Sequence, residues 1–340
     1  MVRTVRPEHP VSVTVTAAVG GKKEWNGPLG ARFDYIDESD RFGKKTWEQS
    51  EAESQAIALR LALNKSSLRE TDLDAVVAGD LLNQCSSSSY GLMNFRIPFL
   101  GIFGACSTPA EGLLISTLML DGGHYRRIGV VSSSHFCSAE RQFRAPVEYG
   151  GQRPPTAQWT VTGAGAFILE NAPGRVQIDG LQIGRIVDAG IDDPGNMGAA
   201  MAPAAFEAFR DFFEFSGKKP ADYDLILTGD LGAEGSAILK ELALRAGIDL
   251  KRHNDCGLMI YDRATQDVQS GGSGCGCSAA VMASYILPQM FEGNVGSVLY
   301  AATGALMSAD AVKQGLCIPG IAHIVSLKAD MKNNRGERAQ

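Results

Sequence analysis

The chain of 340 residues predicts an α/β fold built as two pseudo-symmetric halves, each a sheet covered by helices. Three observations carry that prediction. Asp72-Leu73-Asp74-Ala75-Val76-Val77-Ala78-Gly79-Asp80-Leu81 recurs as Asp222-Tyr223-Asp224-Leu225-Ile226-Leu227-Thr228-Gly229-Asp230-Leu231, an apolar strand of the fully buried kind between polar ends. A second correspondence links Gly104-Ala105-Cys106-Ser107 to Cys275-Gly276-Cys277-Ser278. Each copy continues as a long apolar helix, passes Asp121-Gly122 or Glu292-Gly293, and enters an apolar strand at Ile128 to Ser132 or Val298 to Thr303. Third, a helical segment precedes each repeated strand, Trp47 to Leu63 and Ala202 to Phe215, with apolar or small residues at three-to-four spacing.

Strands alternating with helices predict mainly parallel sheets, and the duplication predicts two of them facing each other across shared central helices. The helices after Cys106 and Cys277 are apolar nearly all round, as buried central helices are. The halves are placed at 1–173 and 174–340, divided at Pro173-Gly174. From Arg141 to Thr160 the pattern breaks, punctuated by Pro146, Gly150, Gly151, Pro154 and Pro155. A loop of that length inside a domain is read as a lid or binding element.

Composition excludes several classes. A net charge of −6 offers no positive field for nucleic acid. Met1 to Pro7 leads into no secretory apolar region, and no apolar run approaches the roughly 18 residues of a membrane helix, so a cytoplasmic product is expected. Seven cysteines without repeated CxxC pairs fit neither a disulfide framework nor a zinc ribbon. Cys275 and Cys277 alone do not complete a tetrahedral metal site, and no metal is expected.

Cys106 is the leading candidate for chemistry. It follows an apolar strand and Gly104-Ala105 and opens an apolar helix, where the positive helix end is expected to favour thiolate. His135 follows the strand ending near Ser132 and is expected at the carboxyl ends of the sheet, where ligands of open α/β sheets bind. Asp80 and Asp230 come from equivalent strand ends and are expected to approach each other across the pseudo-twofold axis, sharing a proton or orienting a ligand. Arg141, Arg144 and Arg153, on the excursion, are the cations placed to meet a carboxylate, since guanidinium offers a planar two-donor fork. His253, His323 and Cys317 are read as structural residues.

With these residues in view, Gly-Ala-Cys-Ser-Thr at 104–108, the Gly271-Gly272-Ser273-Gly274 turn and Ala302-Thr303-Gly304-Ala305 resemble the thiolase and ketoacyl synthase superfamily. More specific stretches resemble its stage V sporulation AD branch over nearly the whole chain. They are Asp80-Leu81-Leu82-Asn83-Gln84, Ser133-Ser134-His135, Ala139-Glu140-Arg141-Gln142-Phe143-Arg144, Glu148-Tyr149-Gly150-Gly151-Gln152, Met201-Ala202-Pro203-Ala204-Ala205 and Asp255-Cys256-Gly257-Leu258.

The resemblance implies a thiolase-like five-layer αβαβα fold with a pocket at the Cys106 helix. It also implies a departure from catalysis. Condensing enzymes of the superfamily supply histidine and a further His or Asn from the second half, because a thiol needs a base and the oxyanion needs donors. This chain has Gly229-Asp230-Leu231-Gly232 and Gly272-Ser273-Gly274-Cys275 at those places. The branch implies non-catalytic binding of dipicolinic acid and its calcium chelate, for uptake into spores and release in germination. Its implied partners are the other stage V sporulation membrane proteins, met at the inner spore membrane by peripheral attachment, and a second copy in a homodimer. No cofactor is expected beyond calcium carried with the ligand. The implied ligand-binding set is Asp80, Asn83, Cys106, Ser133, His135, Arg141, Arg144, Asp230, Ser273 and Gly304. The rival reading is an acyltransferase or condensing enzyme acylated on Cys106 with His135 or Asp230 assisting. A scaffold with a vestigial pocket is the third.

Overall fold

The computed structural model describes residues 4–143 and 152–330. In the first half the strands are β1 (Thr4–Val5), β2 (Ser12–Gly21), β3 (Tyr35–Asp37), β4 (Ala75–Gly79), β5 (Phe99–Gly101), β6 (Arg127–Ser134), β7 (Trp159–Thr160) and β8 (Gly163–Glu170). Its helices are α1 (Lys22–Trp25), α2 (Trp47–Lys65), α3 (Ser86–Leu92), α4 (Thr108–Asp121) and α5 (Phe136–Phe143). The second half carries β9 (Val176–Gln182), β10 (Leu225–Thr228), β11 (His253–Asp255), β12 (Gly272–Ser273), β13 (Ser297–Ala305) and β14 (Gly320–Ala329). Helices α6 (Met197–Ser216), α7 (Gly232–Arg245), α8 (Cys256–Met259), α9 (Cys275–Val281), α10 (Leu287–Glu292) and α11 (Ala309–Lys313) accompany them.

The strand order β5-β4-β6-β8-β2 is answered by β11-β10-β13-β14-β9. Contrary to the expectation of mainly parallel sheets, each five-stranded half is mixed. The pairs β4–β5, β4–β6, β10–β11 and β10–β13 are parallel. The pairs β6–β8, β2–β8, β13–β14 and β14–β9 are antiparallel. Both faces of each sheet are covered, so apolar strands read alike in either direction. Nor are the sheets separate, because Ser12 and Val13 of β2 pair with Gln177 and Val176 of β9, joining the two at one corner.

Helices complete five layers. The buried stripe Ala52, Ala56, Leu59 and Leu63 turns α2 onto β2, β6 and β8. In α6, Met201, Ala205, Phe209 and Phe212 do the same for β13 and β14. Between the sheets, α4 packs on β4 and β6 of its own half and on β13 and β14 of the other, while α9 lies on β2, β6 and β8. The second central helix is broken, since a π turn at Met282–Ile286 separates α9 from α10. Pro288 lacks the N–H that would bond the Ser284 carbonyl, which accounts for the break there.

The aspartates of the sequence repeat have a matched task. Asp74 accepts the backbone N–H groups of Arg126 and Arg127 at 2.6 and 2.9 Å, and Asp224 accepts those of Gly296 and Ser297 at 2.9 and 3.0 Å. Each carboxylate thereby pins the start of the next strand of its half, satisfying donors that would otherwise go unpaired.

Candidate functional site

A cavity of about 430 Å³ opens where the Cys106 turn, the end of α5, the stretch 152–160 and the Ser273 turn converge. Leu81, Phe103, Phe143, Pro154, Met197 and Met307 supply apolar wall; Cys106, Ser273, Gln158, Arg153, Glu140 and Asp193 supply polar groups.

The Cys106 turn is tightly built. Ala105 sits at φ +51°, a left-handed conformation that a β-carbon resists, so the turn stores strain at the cysteine. Hydrogen bonds from Ser107 Oγ to the Gly104 carbonyl (2.6 Å) and from Thr108 Oγ1 to the Ala105 carbonyl (2.7 Å) hold it. A β-carbon at Gly304 would lie 2.4 Å from the Gly104 carbonyl oxygen, so glycine is what lets β13 of the second half press against this turn. Gly304 itself stands behind the turn, next to the lining residue Ala305.

Three second-half residues meet at the thiol. Asp230 Oδ2 accepts Ser273 Oγ at 3.0 Å and the Gly274 N–H at 2.9 Å, and Oδ1 accepts Thr303 Oγ1 at 2.9 Å. Cys106 Sγ is 3.9 Å from Ser273 Oγ and donates to the Asp230 carboxyl. Gly274 takes φ +101°, and a β-carbon there would strike Ser134 Oγ at 2.6 Å. Gln158 crosses beneath, its Nε2 donating to the carbonyls of Asp230 (2.6 Å) and Gly272 (2.9 Å).

This arrangement reverses the expected electrostatics of Cys106. Helix α4 begins at Thr108, two residues beyond the thiol. Burial, and then the neighbouring Asp230, push the thiol well above its ordinary value. Burial likewise raises the Asp230 carboxyl despite its donors. At neutral pH the resting state is therefore a thiol, with no imidazole to activate it. Among the described residues, which include all five histidines, none of the histidines lines the cavity. Iodoacetamide at pH 7.5 is expected to modify the half-buried Cys317 well before Cys106. Asp230→Asn is expected to speed Cys106 labelling by lowering the thiol's pKa, as followed by peptide mass mapping. Equal labelling in parent and variant would remove Asp230 from the account.

Several predicted residues lie elsewhere. His135 is buried away from the cavity: its Nε2 bonds the Asp40 carbonyl at 2.8 Å and its Nδ1 accepts the Cys137 N–H at 3.1 Å. Both ring nitrogens are consumed, and burial lowers its pKa. Ser133 donates to Glu51 and accepts from Gln55 behind β6. Asp80 does not meet Asp230; it accepts the N–H groups of Leu82 (2.8 Å) and Ser88 (2.7 Å) and the Ser88 hydroxyl (2.6 Å), a self-contained cap. Asn83 is exposed, its N–H on Gln142, and Arg141 is an exposed ion pair with Glu48 at 3.1 Å. Arg144 lies outside the described residues. Cys275 and Cys277 donate to different carbonyls, those of Ser133 and Gly229.

Among the described residues, Arg153 is the cation that reaches the cavity. It pairs with Glu140, donates to the Gln158 carbonyl at 2.9 Å, and lies 4.8 Å and 4.9 Å from the ring centroids of Phe136 and Trp159. Those rings stack at 3.8 Å, with Lys23 over the Trp159 ring at 4.0 Å. Trp159 and Thr160 pair as β7 with β12, so the end of the loop excursion is strapped to the Ser273 turn. Gln158 and Glu140 had no distinguishing signal in the sequence, because their roles depend on that strap.

The sequence matches the stage V sporulation protein AD family over residues 2–328. The chain belongs to that family. It is 44% identical to stage V sporulation protein AD of Bacillus subtilis (strain 168) over 317 residues, covering 93% of this chain and 94% of that protein. Solved structures give the fold. The 3-oxoacyl-[acyl-carrier-protein] synthase III of Aquifex aeolicus is similar with a TM-score of 0.57 at 16% identity, covering 94% of this chain and 99% of that one. A single-substitution variant of OleA from Xanthomonas campestris is similar with a TM-score of 0.61 at 14% identity, covering 95% and 99%. This sporulation protein thus has the thiolase-like fold, and among its described residues no helix is long and apolar enough to cross a membrane.

Proposed function

We propose that the cavity binds dipicolinic acid, pyridine-2,6-dicarboxylic acid, free or as its calcium chelate, and does not transform it. In this role the protein serves uptake of the acid into the spore and its release, beside the other stage V sporulation proteins at the inner spore membrane. The observation that carries the reading is the partnership of Cys106: a carboxyl group and a hydroxyl gather at the thiol, and among the described residues no imidazole lines the cavity. A thiol held neutral is a donor and a contact surface.

Chemically the cavity suits a flat diacid. Apolar wall from Leu81, Phe143, Pro154 and Met197 suits ring faces, and Arg153 offers a fixed guanidinium to a carboxylate. Calcium enters this proposal only as part of the chelate. Isothermal titration of the purified protein with dipicolinate, with and without calcium, is expected to give a saturable signal.

The strain at Ala105 and the Asp230 contact favour a second reading, acyl transfer with Asp230 as base. It predicts a covalent adduct on Cys106 after incubation with a short acyl-CoA, visible by intact mass and lost in Cys106→Ala. That adduct without a dipicolinate signal would overturn the binding proposal.

A further inference from the structure

Asp255-Cys256-Gly257-Leu258, one of the specific stretches of the sequence, supplies no wall to the cavity. Its aspartate is nevertheless joined to the thiol by a chain of buried contacts. Asp255 ends β11, opposite Thr228 at the end of β10. Its fully buried carboxyl takes three donors: Oδ2 accepts the Leu231 N–H at 2.8 Å and Thr228 Oγ1 at 2.7 Å, and Oδ1 accepts the Gly232 N–H at 3.0 Å. Those two N–H groups directly follow Asp230, the carboxyl at the thiol. On the other side of Asp230, the Gly229 N–H is tied to the Ala301 carbonyl at 3.0 Å. Thr228 has one hydroxyl proton and gives it to Asp255, so His253, 2.8 Å away, presents Nε2–H to the same oxygen. The chain thus runs from His253 at the sheet edge through Thr228, Asp255 and the turn to Asp230 and Cys106.

A carboxyl is an expensive choice here unless it has a task. Helix α7 begins at Gly232, and neutral residues commonly satisfy such helix-terminal N–H groups. Among the described residues no cation pairs with Asp255, and Asp230 adds a like charge nearby. What the carboxyl gains is capacity, because its two oxygens hold two N–H groups and a hydroxyl at once, beyond the single acceptor oxygen of asparagine. We propose that Asp255 is a positioning residue for Cys106: by taking these three donors it fixes the turn that keeps the Asp230 carboxyl on the thiol. It lines no part of the cavity, so it acts through Asp230. The proposal rests on the Asp230–Cys106 contact, whichever ligand the cavity takes.

Iodoacetamide labelling of the full-length protein, followed by peptide mass mapping, tests this without a ligand. Asp255→Asn is expected to speed labelling of Cys106 about threefold or more, without exceeding Asp230→Asn. Cys275, fully buried and bonded to the Ser133 carbonyl in the first half, is expected to stay unlabelled. A mere helix cap predicts otherwise: a lower melting temperature, with Cys106 unchanged or with both cysteines opening together, and either result overturns the proposal. The double variant Asp230→Asn/Asp255→Asn is expected to label within about twofold of Asp230→Asn alone, since one acts through the other; rates that multiply overturn it. Asp224→Asn removes a carboxylate that also takes two backbone N–H groups, but before β10 and far from the thiol, and is expected to leave Cys106 labelling as in the parent. An equal rise in that control overturns the assignment. Thr228→Val withdraws one donor from Asp255 and leaves the turn itself intact, so a smaller rise at Cys106 is expected. Should Asp255→Asn not fold, this variant decides, and parent-like labelling in it overturns the proposal.

Calorimetry extends the test to the ligand, an arm that rests on the binding role proposed above. If Asp230→Asn loses dipicolinate affinity, Asp255→Asn is expected to lose it too, and parent-like affinity there overturns the positioning of the ligand site. If no form binds dipicolinate, the binding reading fails while the labelling result stands.

Discussion

Arg153→Ala is expected to weaken dipicolinate binding roughly 10- to 100-fold, the cost of losing hydrogen bonds to a charged group, about 1.5–3 kcal/mol. The size follows from how the side chain is held. Phe136 and Trp159 support the guanidinium, and Glu140 and the Gln158 carbonyl orient it, so little conformational freedom remains to be lost when a carboxylate arrives. Arg153→Lys keeps the charge and discards the planar fork, and is expected to fall between parent and Ala. Arg141→Ala is the matched control: its ion pair with Glu48 is exposed on both sides, so its removal is expected to change affinity less than twofold. Calorimetry on the three variants decides. Unchanged affinity in Arg153→Ala would place the ligand elsewhere, while a loss in Arg141→Ala equal to that in Arg153→Ala would mean that bulk charge is being measured.

The contrast between these arginines also shows where sequence reading ends. Both lie on or beside the same irregular stretch and carry the same chemistry, and what separates them is an aromatic stack assembled from α5 and β7 with Lys23 behind it. No local pattern encodes that meeting. His135 was placed correctly after β6, yet the ends of that sheet are broad, and the Asp40 carbonyl, from the turn after β3, captures the ring. Cys106 was legible as the head of a turn, because Gly-Ala-Cys before an apolar helix is a local feature. Its electrostatics were not, because Asp230 comes from the other half of the chain. The pseudo-symmetric layers were legible for the opposite reason: each copy of the repeat carries its own strand, its own pinning aspartate and its own central helix within a short stretch. Strand direction escaped because both faces of every central strand are covered, leaving no alternation from which to read it.

The pH dependence of stability tests a buried carboxyl group that holds the halves together near the cavity strap. Glu24 is fully buried; its Oε1 accepts the Thr162 N–H at 3.1 Å and the Tyr261 hydroxyl, and Oε2 accepts the Gly21 N–H at 3.2 Å. Burial outweighs these donors and raises its pKa from 4.5 to about 7. The native state thus binds this proton more tightly than the unfolded chain, so the stabilisation is complete below pH 4.5 and is lost as pH rises to about 7. The loss is roughly 3 kcal/mol at 1.36 kcal/mol per pKa unit. Asp255, raised to about 7, and Glu51, raised to about 8 by burial and then Asp80, act in the same direction. His253 and His323, lowered by burial from 6.5 to about 4, act oppositely, adding stability as pH climbs through that interval and nothing above it. A net fall in stability is therefore expected between pH 6.5 and 8, where the carboxyl groups act unopposed. Glu24→Gln isolates one contributor, since the amide has no proton to lose in this range. In denaturant titrations of both proteins across this series, the variant is expected to gain on the parent by roughly 3 kcal/mol between pH 4.5 and 8. A constant difference would mean that Glu24 is ionised in the native protein throughout, and that its donors, rather than its burial, set its state.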